Sequence, residues 1–212
     1  MSTTETRREQ IYNTAGALFS RRGYAATSVR DIARELDLQG GSLYAHIASK
    51  EDVLWALVSG AAAQFFAAAR PILAAGQPPA DRLRALIAAH VGVVAGQTDR
   101  ALVFLNDWKF LLPPRREAIA AQRDEYEGLF RATIADGIAT GDFASADLKI
   151  AATLILSALN GIPVWYHPEG VLSAEEIAAR YADLLLAGLQ RRPAEQPGLD
   201  NAGDTTSRRG GQ

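Results

Sequence analysis

Two short amphipathic helices, separated by a tight turn, lie in residues 27–50. They constrain the fold more than any other stretch of the chain. The first helix begins at a capping box, because Asp31 follows Ser28 at the required spacing. Its apolar positions recur at intervals of three and four residues, so one face is apolar: Val29, Ile32, Ala33 and Leu36. The pattern then stops at a turn, and a second helix is predicted from about residue 41 to Ile47.

The second of these helices carries hydroxyl and imidazole groups instead of long base-reading side chains. Two helices joined in this way form a helix-turn-helix, whose second helix enters the major groove of DNA. Ser42, Tyr44 and His46 suit contacts to phosphates, and a pair of glycines, Gly40 and Gly41, allows the backbone to approach closely. Base reading is predicted for the side chains that can bond a purine edge or touch a thymine methyl group, namely Arg30, Gln39, Ser42 and Ala45.

The order of residues in and around this motif, within residues 8–58, is specific. The informative blocks are Arg21-Arg22-Gly23-Tyr24, Thr27-Ser28-Val29-Arg30-Asp31-Ile32-Ala33, Gly41-Ser42-Leu43-Tyr44-x-His46-Ile47 and Ser49-Lys50-Glu51-Asp52-Val53-Leu54. Together they resemble the DNA-binding domain of the tetracycline-repressor (TetR) family. The resemblance implies that the DNA backbone is held by Thr27, Tyr44, His46 and Lys50. Ser28, which caps the first helix, is included in the predicted DNA-contacting set.

Four positions depart from the family pattern. Asp37 stands where a turn glycine is usual, so it is expected to adopt a left-handed conformation, which Asp tolerates. Gly40, Ala45 and Ile47 stand where Lys, His and Phe are common. Because Gly40 and Ala45 bear on which bases are read, the resemblance does not give the operator sequence.

The distribution of charge fits a DNA-binding head on an acidic body. The whole chain has a net charge of −2, which by itself argues against a nucleic-acid partner. Residues 1–50, however, hold seven Lys and Arg against five Asp and Glu, which leaves a net charge of −4 on the remainder. We therefore expect a modular protein that binds double-stranded DNA with an affinity that falls as salt rises.

Composition narrows the remaining classes of function. There are no cysteines, and the three histidines lie far apart in sequence (His46, His90 and His167), so neither a metal site nor a cofactor is expected. No Ser, His and carboxylate set suggests catalysis, so the chain is not expected to be an enzyme. No long apolar run or signal peptide is recognised, and a cytoplasmic location is expected.

The remaining apolar periodicity predicts an all-α protein of about nine helices. The expected domains are a DNA-binding domain over residues 1–50, an effector-binding and dimerisation domain over residues 51–190, and a disordered tail over residues 191–212. The helix beginning at Ser49 is expected to end near Arg70, ahead of Pro71. Single helices are expected over 100–112, 115–140, 146–166 and from 173 onwards.

The last two helices are apolar on more than one face and rich in Ala and Gly. Such helices need more packing partners than the rest of a single chain supplies, and their small residues allow another helix to approach closely. We expect them to form half of an intermolecular four-helix bundle in a homodimer. A two-fold dimer would present its recognition helices to major grooves roughly 34–36 Å apart on a palindromic operator. The alternative is an ordinary buried hairpin within a monomer.

The body is expected to enclose a small-molecule effector. Polar and aromatic residues inside apolar stretches are the candidates for its lining: Gln64, His90, Asn106, Trp108, Gln122, Tyr126, Asn160 and Trp165, with His90 and Asn160 the strongest. The C-terminal half is similar to the branch of the family that senses acyl-CoA thioesters. The penultimate helix, however, offers no arginine for the phosphates of CoA, so an aromatic or fatty acyl ligand is an equal candidate.

The family resemblance implies a transcriptional repressor that a ligand releases from DNA. Two alternatives remain open at this point. The protein could activate transcription, because the position of its operator relative to a promoter is not written in the sequence. It could also be a dimeric interaction module whose head no longer binds DNA, since two recognition positions depart from the family pattern.

Overall fold

The structure is a computed structural model that describes residues 6–38 and 40–190, and these residues confirm the predicted all-α class. Within them, ten α-helices and one 3-10 helix follow in order: α1 (Arg7–Arg22), α2 (Val29–Glu35), α3 (Gly40–Leu43), α4 (Lys50–Ala74), α5 (Pro79–Gly96), α6 (Thr98–Asn106), the 3-10 helix (Trp108–Phe110), α7 (Arg115–Thr140), α8 (Leu148–Asn160), α9 (Ile162–Trp165) and α10 (Ala174–Leu189). The expected tail over 191–212 lies outside the described residues.

Helices α1, α2 and α3 form a small N-terminal head around a fully buried core. Its core side chains are Ile11, Leu18, Phe19, Ile32 and Leu43. The predicted capping box is present at α2, where Ser28 N donates to Asp31 Oδ2 at 2.9 Å and Asp31 N donates to Ser28 Oγ at 3.2 Å. Asp37 has a φ of 53°, the left-handed conformation expected where the family has glycine. The turn between α2 and α3 is therefore closed by a non-glycine residue.

Helix α4 joins the head to the body, and it is longer than the sequence predicted. Ser49 caps it as expected, with Asp52 N donating to Ser49 Oγ at 3.0 Å. The expected end near Arg70 is wrong, because the helix continues through Pro71 to Ala74. Proline removes the hydrogen bond to the carbonyl four residues earlier. Since Pro71 and Ala67 are both exposed, water can satisfy that carbonyl without breaking the helix.

The body is built from long helices packed around α4, α5 and α7. Helix α5 contacts α4, α7 and α10, while α8 lies along α7. One continuous core runs through these contacts, and it includes the fully buried side chains of Leu57, Leu83, Ile87, Phe130 and Ile155. Helix α10 begins at the predicted capping box of Ser173 and Glu176. The site-bearing helices α4, α5, α7 and α8 therefore share one packed interior.

Two helices predicted as continuous are interrupted. The stretch 100–112 becomes α6 followed by the 3-10 helix, with Phe110 N donating to the carbonyl of Asp107 at 2.9 Å. The stretch 146–166 begins at Leu148 and divides at Gly161 into α8 and α9. Pro163 explains this second break, because it has no N–H to donate to the carbonyl of Leu159.

Two segments, Lys50–Ala74 and Leu148–Trp165, reach the length and mean hydropathy of a membrane-spanning helix, with mean hydropathies of 1.4 and 1.5. The sequence was expected to hold no apolar run of the roughly 18 residues that span a membrane, whereas these two segments reach that length by mean hydropathy. The signal is weak, because the core helix of a globular protein has the same properties. Lys50–Ala74 packs against α5, α6 and α7 in the helical body, which accounts for its apolar composition.

Candidate DNA-binding surface and effector cavity

Helix α3 and the turn that follows it present the predicted recognition residues on one exposed surface. Ser42, Ala45 and His46 are exposed, and the Tyr44 side chain is 57% exposed. The helix ends at Leu43 instead of the predicted Ile47, and the chain then closes in a turn in which His46 N donates to the carbonyl of Leu43 at 2.9 Å. The turn places Tyr44 and His46 beside the recognition helix, available to a DNA backbone.

The other predicted DNA contacts differ in exposure. Ser28 and Arg30 are exposed at the start of α2. Gly40 and Gly41 open α3, so their backbone lies at the N-terminus of the recognition helix. Gln39 lies outside the described residues.

Two of the residues expected to hold phosphate, Thr27 and Lys50, already have partners within the protein. Thr27 is buried, and its hydroxyl donates to the carbonyl of Gly23 at 2.9 Å. Lys50 Nζ donates to the carbonyls of Tyr24 at 2.9 Å and Thr27 at 2.8 Å, and it lies 4.0 Å from the centre of the Tyr24 ring. Both side chains therefore hold the α1–α2 connection in place, and Lys50 keeps one N–H for an outside partner.

The body contains a cavity of about 230 Å³ between α4, α5, α7 and α8. One wall is aromatic and is formed by Phe65, Phe66, Phe104 and Tyr126. Helix α8 contributes Thr153, Leu156, Ser157 and Asn160 to the lining. The rest of the lining is Ala62, His90, Gln122, Arg123, Asp124 and Glu127. An apolar cavity with a few polar groups at defined positions is the usual form of a small-molecule site.

His90 is the most buried polar group of this cavity, with 3% of its surface exposed. Burial lowers the pKa of its imidazole to about 3, and the Asn160 side chain opposes that shift in part, so the ring is neutral at physiological pH. Tyr126 Oη lies 3.4 Å from His90 Nδ1. His90 Nε2 has no hydrogen-bond partner in the part of the chain that the structure describes, and neither has Gln122 Oε1.

Arg123 brings a positive charge to the same cavity. Its guanidinium lies over two aromatic rings, 5.0 Å from the centre of Phe104 and 5.3 Å from that of Trp108. Burial lowers the pKa of Arg123, while the neighbouring Asp124 carboxylate raises it. Glu127 also lines the cavity, but its carboxylate is neutralised by Lys149 at 2.8 Å and Arg131 at 3.4 Å. The charged groups of the lining that no salt bridge neutralises are therefore the Arg123 guanidinium and the exposed Asp124 carboxylate.

Of the eight residues predicted from the sequence to bind the effector, the structure brings four to the cavity: His90, Gln122, Tyr126 and Asn160. The other four lie elsewhere. Gln64 lines a shallow groove with Ala89 and Val93, and Asn106 is exposed. The Trp108 ring lies 5.3 Å from the Arg123 guanidinium, and Trp165 stacks on Tyr181. Among the described residues, no group of three acidic or histidine side chains could hold a metal ion.

Arg123 was not predicted from the sequence, although a signal for it was present. Arg123 precedes Tyr126 by three positions and Phe130 by seven, which places all three on one face of α7. The prediction looked for a cation on the penultimate helix, where Lys149 is the one basic residue. The structure supplies the cation from α7 instead, so the absence of arginine on α8 does not exclude an anionic ligand.

Comparisons with known proteins agree with both parts of this architecture. The family model "Bacterial regulatory proteins, tetR family" matches residues 11–57, and the model "Tetracyclin repressor-like, C-terminal domain" matches residues 76–189. The chain is 28% identical to the HTH-type transcriptional repressor KstR2 of Rhodococcus jostii, over 86% of this chain and 91% of that protein.

Solved structures show the same fold. The structure of the ketosteroid transcriptional regulator KstR2 of Mycobacterium tuberculosis matches with a TM-score of 0.84 and 28% identity, covering 90% of this chain and 98% of that one. AibR, in complex with isovaleryl coenzyme A and operator DNA, matches with a TM-score of 0.74 and 25% identity, covering 87% and 98%. These relatives are transcriptional regulators, not enzymes. With its helix-turn-helix head and its matching C-terminal domain, the chain belongs to the TetR family of transcriptional regulators.

Proposed function

We propose that this protein is a homodimeric repressor that binds a palindromic operator and is released from it by a small effector held in the cavity of the body. One observation carries the ligand response. Helix α4 supplies Ala62, Phe65 and Phe66 to the cavity and, from its first turn, supplies Lys50 to two carbonyls of the head. A single helix thus contacts both the effector and the DNA-binding domain.

The effector releases the protein from DNA because it binds one of two arrangements of α4 more tightly than the other. A molecule that fills the cavity pushes on the aromatic side chains of α4 and favours the arrangement that accommodates it. If this arrangement changes the distance between the two heads of the dimer, the recognition helices no longer fit neighbouring major grooves. The effector shifts the equilibrium by its preference for one arrangement over the other and by no more than that.

The homodimer is supported by an apolar face that the folded chain leaves uncovered. On α8, Ile150 is 66% exposed and Leu154, one turn later, is 63% exposed, while Leu184 on α10 is 75% exposed. Burying a leucine or isoleucine side chain contributes roughly 1.5–3 kcal/mol, so a second copy that covers this face gains substantially. Helices α8 and α10 pack mainly on α7 and α5 respectively, which leaves this face available for a four-helix bundle between chains.

The relatives support the same reading. KstR2 is named as a repressor, and the AibR structure holds both operator DNA and a coenzyme A thioester. We infer that this chain also binds operator DNA and a small effector. We further infer that it acts in the bacterial cytoplasm, where operators are found.

The proposal is tested by selecting bound sequences from a random pool of duplexes and then titrating the best sequence with salt. We expect a palindrome bound by two chains, with an affinity that falls by about 10³–10⁵ between 50 and 200 mM salt if six to ten phosphates are contacted. Enrichment of a single half-site, or binding that is independent of salt, would contradict the dimeric repressor. Once an effector is identified, operator affinity that is unchanged at its saturating concentration would contradict the release.

A further inference from the structure

The cavity has the size of one ring with short substituents. An engineered apolar cavity of about 150 Å³ binds benzene, so a cavity of about 230 Å³ admits a single ring and a few further atoms. A system of four fused rings, or the nucleotide part of coenzyme A, exceeds this volume. The aromatic wall of Phe65, Phe66, Phe104 and Tyr126 offers faces and edges against which a ring packs.

Two buried polar atoms of the lining require specific partners from a ligand. A neutral histidine has one donor and one acceptor nitrogen. Tyr126 Oη lies 3.4 Å from His90 Nδ1, and in the tautomer in which Tyr126 donates to Nδ1 the proton of the imidazole is on Nε2. The Asn160 side chain also interacts with this imidazole. Nε2 itself has no hydrogen-bond partner among the described residues, so its N–H can donate to a ligand acceptor, and Gln122 Oε1 can accept from a ligand donor. A hydroxyl group satisfies both requirements, because it accepts one hydrogen bond and donates another.

Arg123 offers a cation that can bind an anionic group of a ligand. Its guanidinium carbon lies 5.0 Å from the centre of the Phe104 ring and 5.3 Å from that of Trp108, and these ring contacts do not use its N–H groups as hydrogen-bond donors to an oxygen acceptor. Within residues 6–38 and 40–190, no hydrogen bond or ion pair engages this side chain. Asp124 lies next to it but is exposed to solvent, and Glu127 is already neutralised by Lys149 and Arg131. Because Arg123 lines the same small cavity as His90, a carboxylate on the part of the ligand that enters the cavity can pair with it. A thioester has no charge at that point, whereas a free carboxylate does.

We propose that the cavity binds a single-ring carboxylic acid that carries a hydroxyl group, with the carboxylate on Arg123 and the hydroxyl between His90 and Gln122. The inference rests on the proposed function, since it names the chemical class of its effector. Both groups are read by side chains of α5 and α7, and the ring lies against the aromatic side chains of α4.

Calorimetric titration of the full-length protein without DNA tests this assignment. The probes are para-hydroxyphenylacetate, phenylacetate without the hydroxyl, para-hydroxyphenylethanol without the carboxylate, and phenylacetyl coenzyme A. We expect one molecule of para-hydroxyphenylacetate per chain and about 10- to 100-fold weaker binding of the alcohol, because a hydrogen bond to a charged group is lost. Removing the hydroxyl is expected to weaken binding about tenfold, because both buried polar atoms are left without partners.

Variants locate the contacts. Arg123→Gln is expected to weaken para-hydroxyphenylacetate about 10- to 100-fold and to leave para-hydroxyphenylethanol unchanged, since the alcohol has no carboxylate to lose. A merely structural role of Arg123 would weaken both probes alike. Gln122→Leu is expected to reduce the difference between the acid with and the acid without a hydroxyl. Arg116→Gln is the matched control, because Arg116 is an exposed arginine of α7 that does not line the cavity.

Three outcomes would overturn the assignment: failure of every acid to bind at millimolar concentration, equal weakening of acid and alcohol in Arg123→Gln, or tighter binding of the coenzyme A thioester than of the free acid. Different results would contradict the assignment of the ligand class and the proposed function. If the acid binds but the operator stays bound, ligand release is wrong and the cavity assignment stands. If the thioester releases the operator while the acids do not bind, release stands and the cavity assignment is wrong.

Discussion

Arg115, at the start of α7, donates from Nη2 to Asp52 Oδ1 at 2.7 Å, although the two residues are 63 positions apart in the chain. The same guanidinium lies 3.6 Å from Glu51 Oε1. Asp52 and Glu51 belong to the first turn of α4, where Lys50 holds the head. The helix that carries Arg123, Gln122 and Tyr126 is therefore fastened to the same turn that positions the DNA-binding domain.

We expect Arg115→Ala to weaken this connection. The variant leaves Asp52 and Glu51 without their common cation, so it should lower the midpoint of thermal unfolding and reduce the ratio of operator affinities measured without and with effector. Arg116→Ala, which removes an arginine paired with its neighbour Glu117, is the control and should change neither. An Arg115→Ala protein with an unchanged affinity ratio would show that α7 does not communicate with the head by this route.

His90 should make the protein less stable in acid. Burial holds its folded-state pKa at about 3, whereas an unfolded histidine titrates near about 6.5. Between these values the unfolded state binds a proton that the folded state does not, so stability is lost as the pH falls below about 6.5, by up to roughly 1.4 kcal/mol per pH unit. Urea denaturation at a series of pH values should show a shallower dependence for His90→Gln than for the wild type. A His90→Gln protein with the same pH dependence as the wild type would contradict this assignment.

Variants of the recognition surface should distinguish residues that contribute to affinity for any duplex from residues that determine sequence preference. Tyr44→Phe removes an exposed hydroxyl that we assign to a phosphate, so it should weaken every duplex alike, by roughly 0.5–1.5 kcal/mol. Gln39→Ala should instead cost roughly 1–3 kcal/mol on the best operator and little on other sequences, because a base contact is lost. A gel-shift panel of related duplexes distinguishes the two. A change of preference in Tyr44→Phe would contradict its assignment to the backbone.

The exposed apolar face should control assembly. Leu154→Asp places a charge in the middle of the proposed contact, and we expect a monomer that binds a palindromic operator far more weakly than the dimer does. Sedimentation velocity and a gel shift measure the two effects. Leu73→Asp, at a partly exposed leucine near the end of α4, is the control and should remain dimeric. A dimeric Leu154→Asp protein would move the interface to another surface.

Gly137 is a packing constraint on α7. A methyl group at this position would overlap the ring of Phe143, which is fully buried, so Gly137→Ala should destabilise the protein by about 1–3 kcal/mol. Gly60 lies inside α4 with open space around its Cα, and Gly60→Ala should stabilise the protein by roughly 0.5–1 kcal/mol. Chemical denaturation of both variants measures these opposite effects.

Helix starts were the most predictable part of the fold. The Ser28–Asp31 and Ser173–Glu176 capping boxes and the cap at Ser49 lie at the expected residues, because each depends on side chains within three positions. Helix ends were less predictable. Whether Pro71 ends a helix depends on whether the carbonyl it leaves unpaired can reach water, and this is a property of the tertiary structure.

Half of the residues that were predicted to line the cavity do so, and the reason is similar. A polar residue such as His90 within an apolar helix is visible in the sequence, and its partner Tyr126 lies on the buried face of α7. Gln64 and Trp165 have the same local pattern but face other surfaces, because the direction of each side chain is set by packing between helices that are distant in sequence. Arg123 was missed because arginine is usually exposed.

The uninterrupted length of α4 has a mechanical consequence. Its 25 residues span about 37 Å, and Pro71 near the far end does not divide it. A rigid rod of this length that turns by about 3° around one end moves the other end by about 2 Å, on the scale of the helix shifts that accompany switching in other proteins. Since both copies in a dimer would move, a rearrangement too small to open the cavity could still take the recognition helices out of register with the DNA.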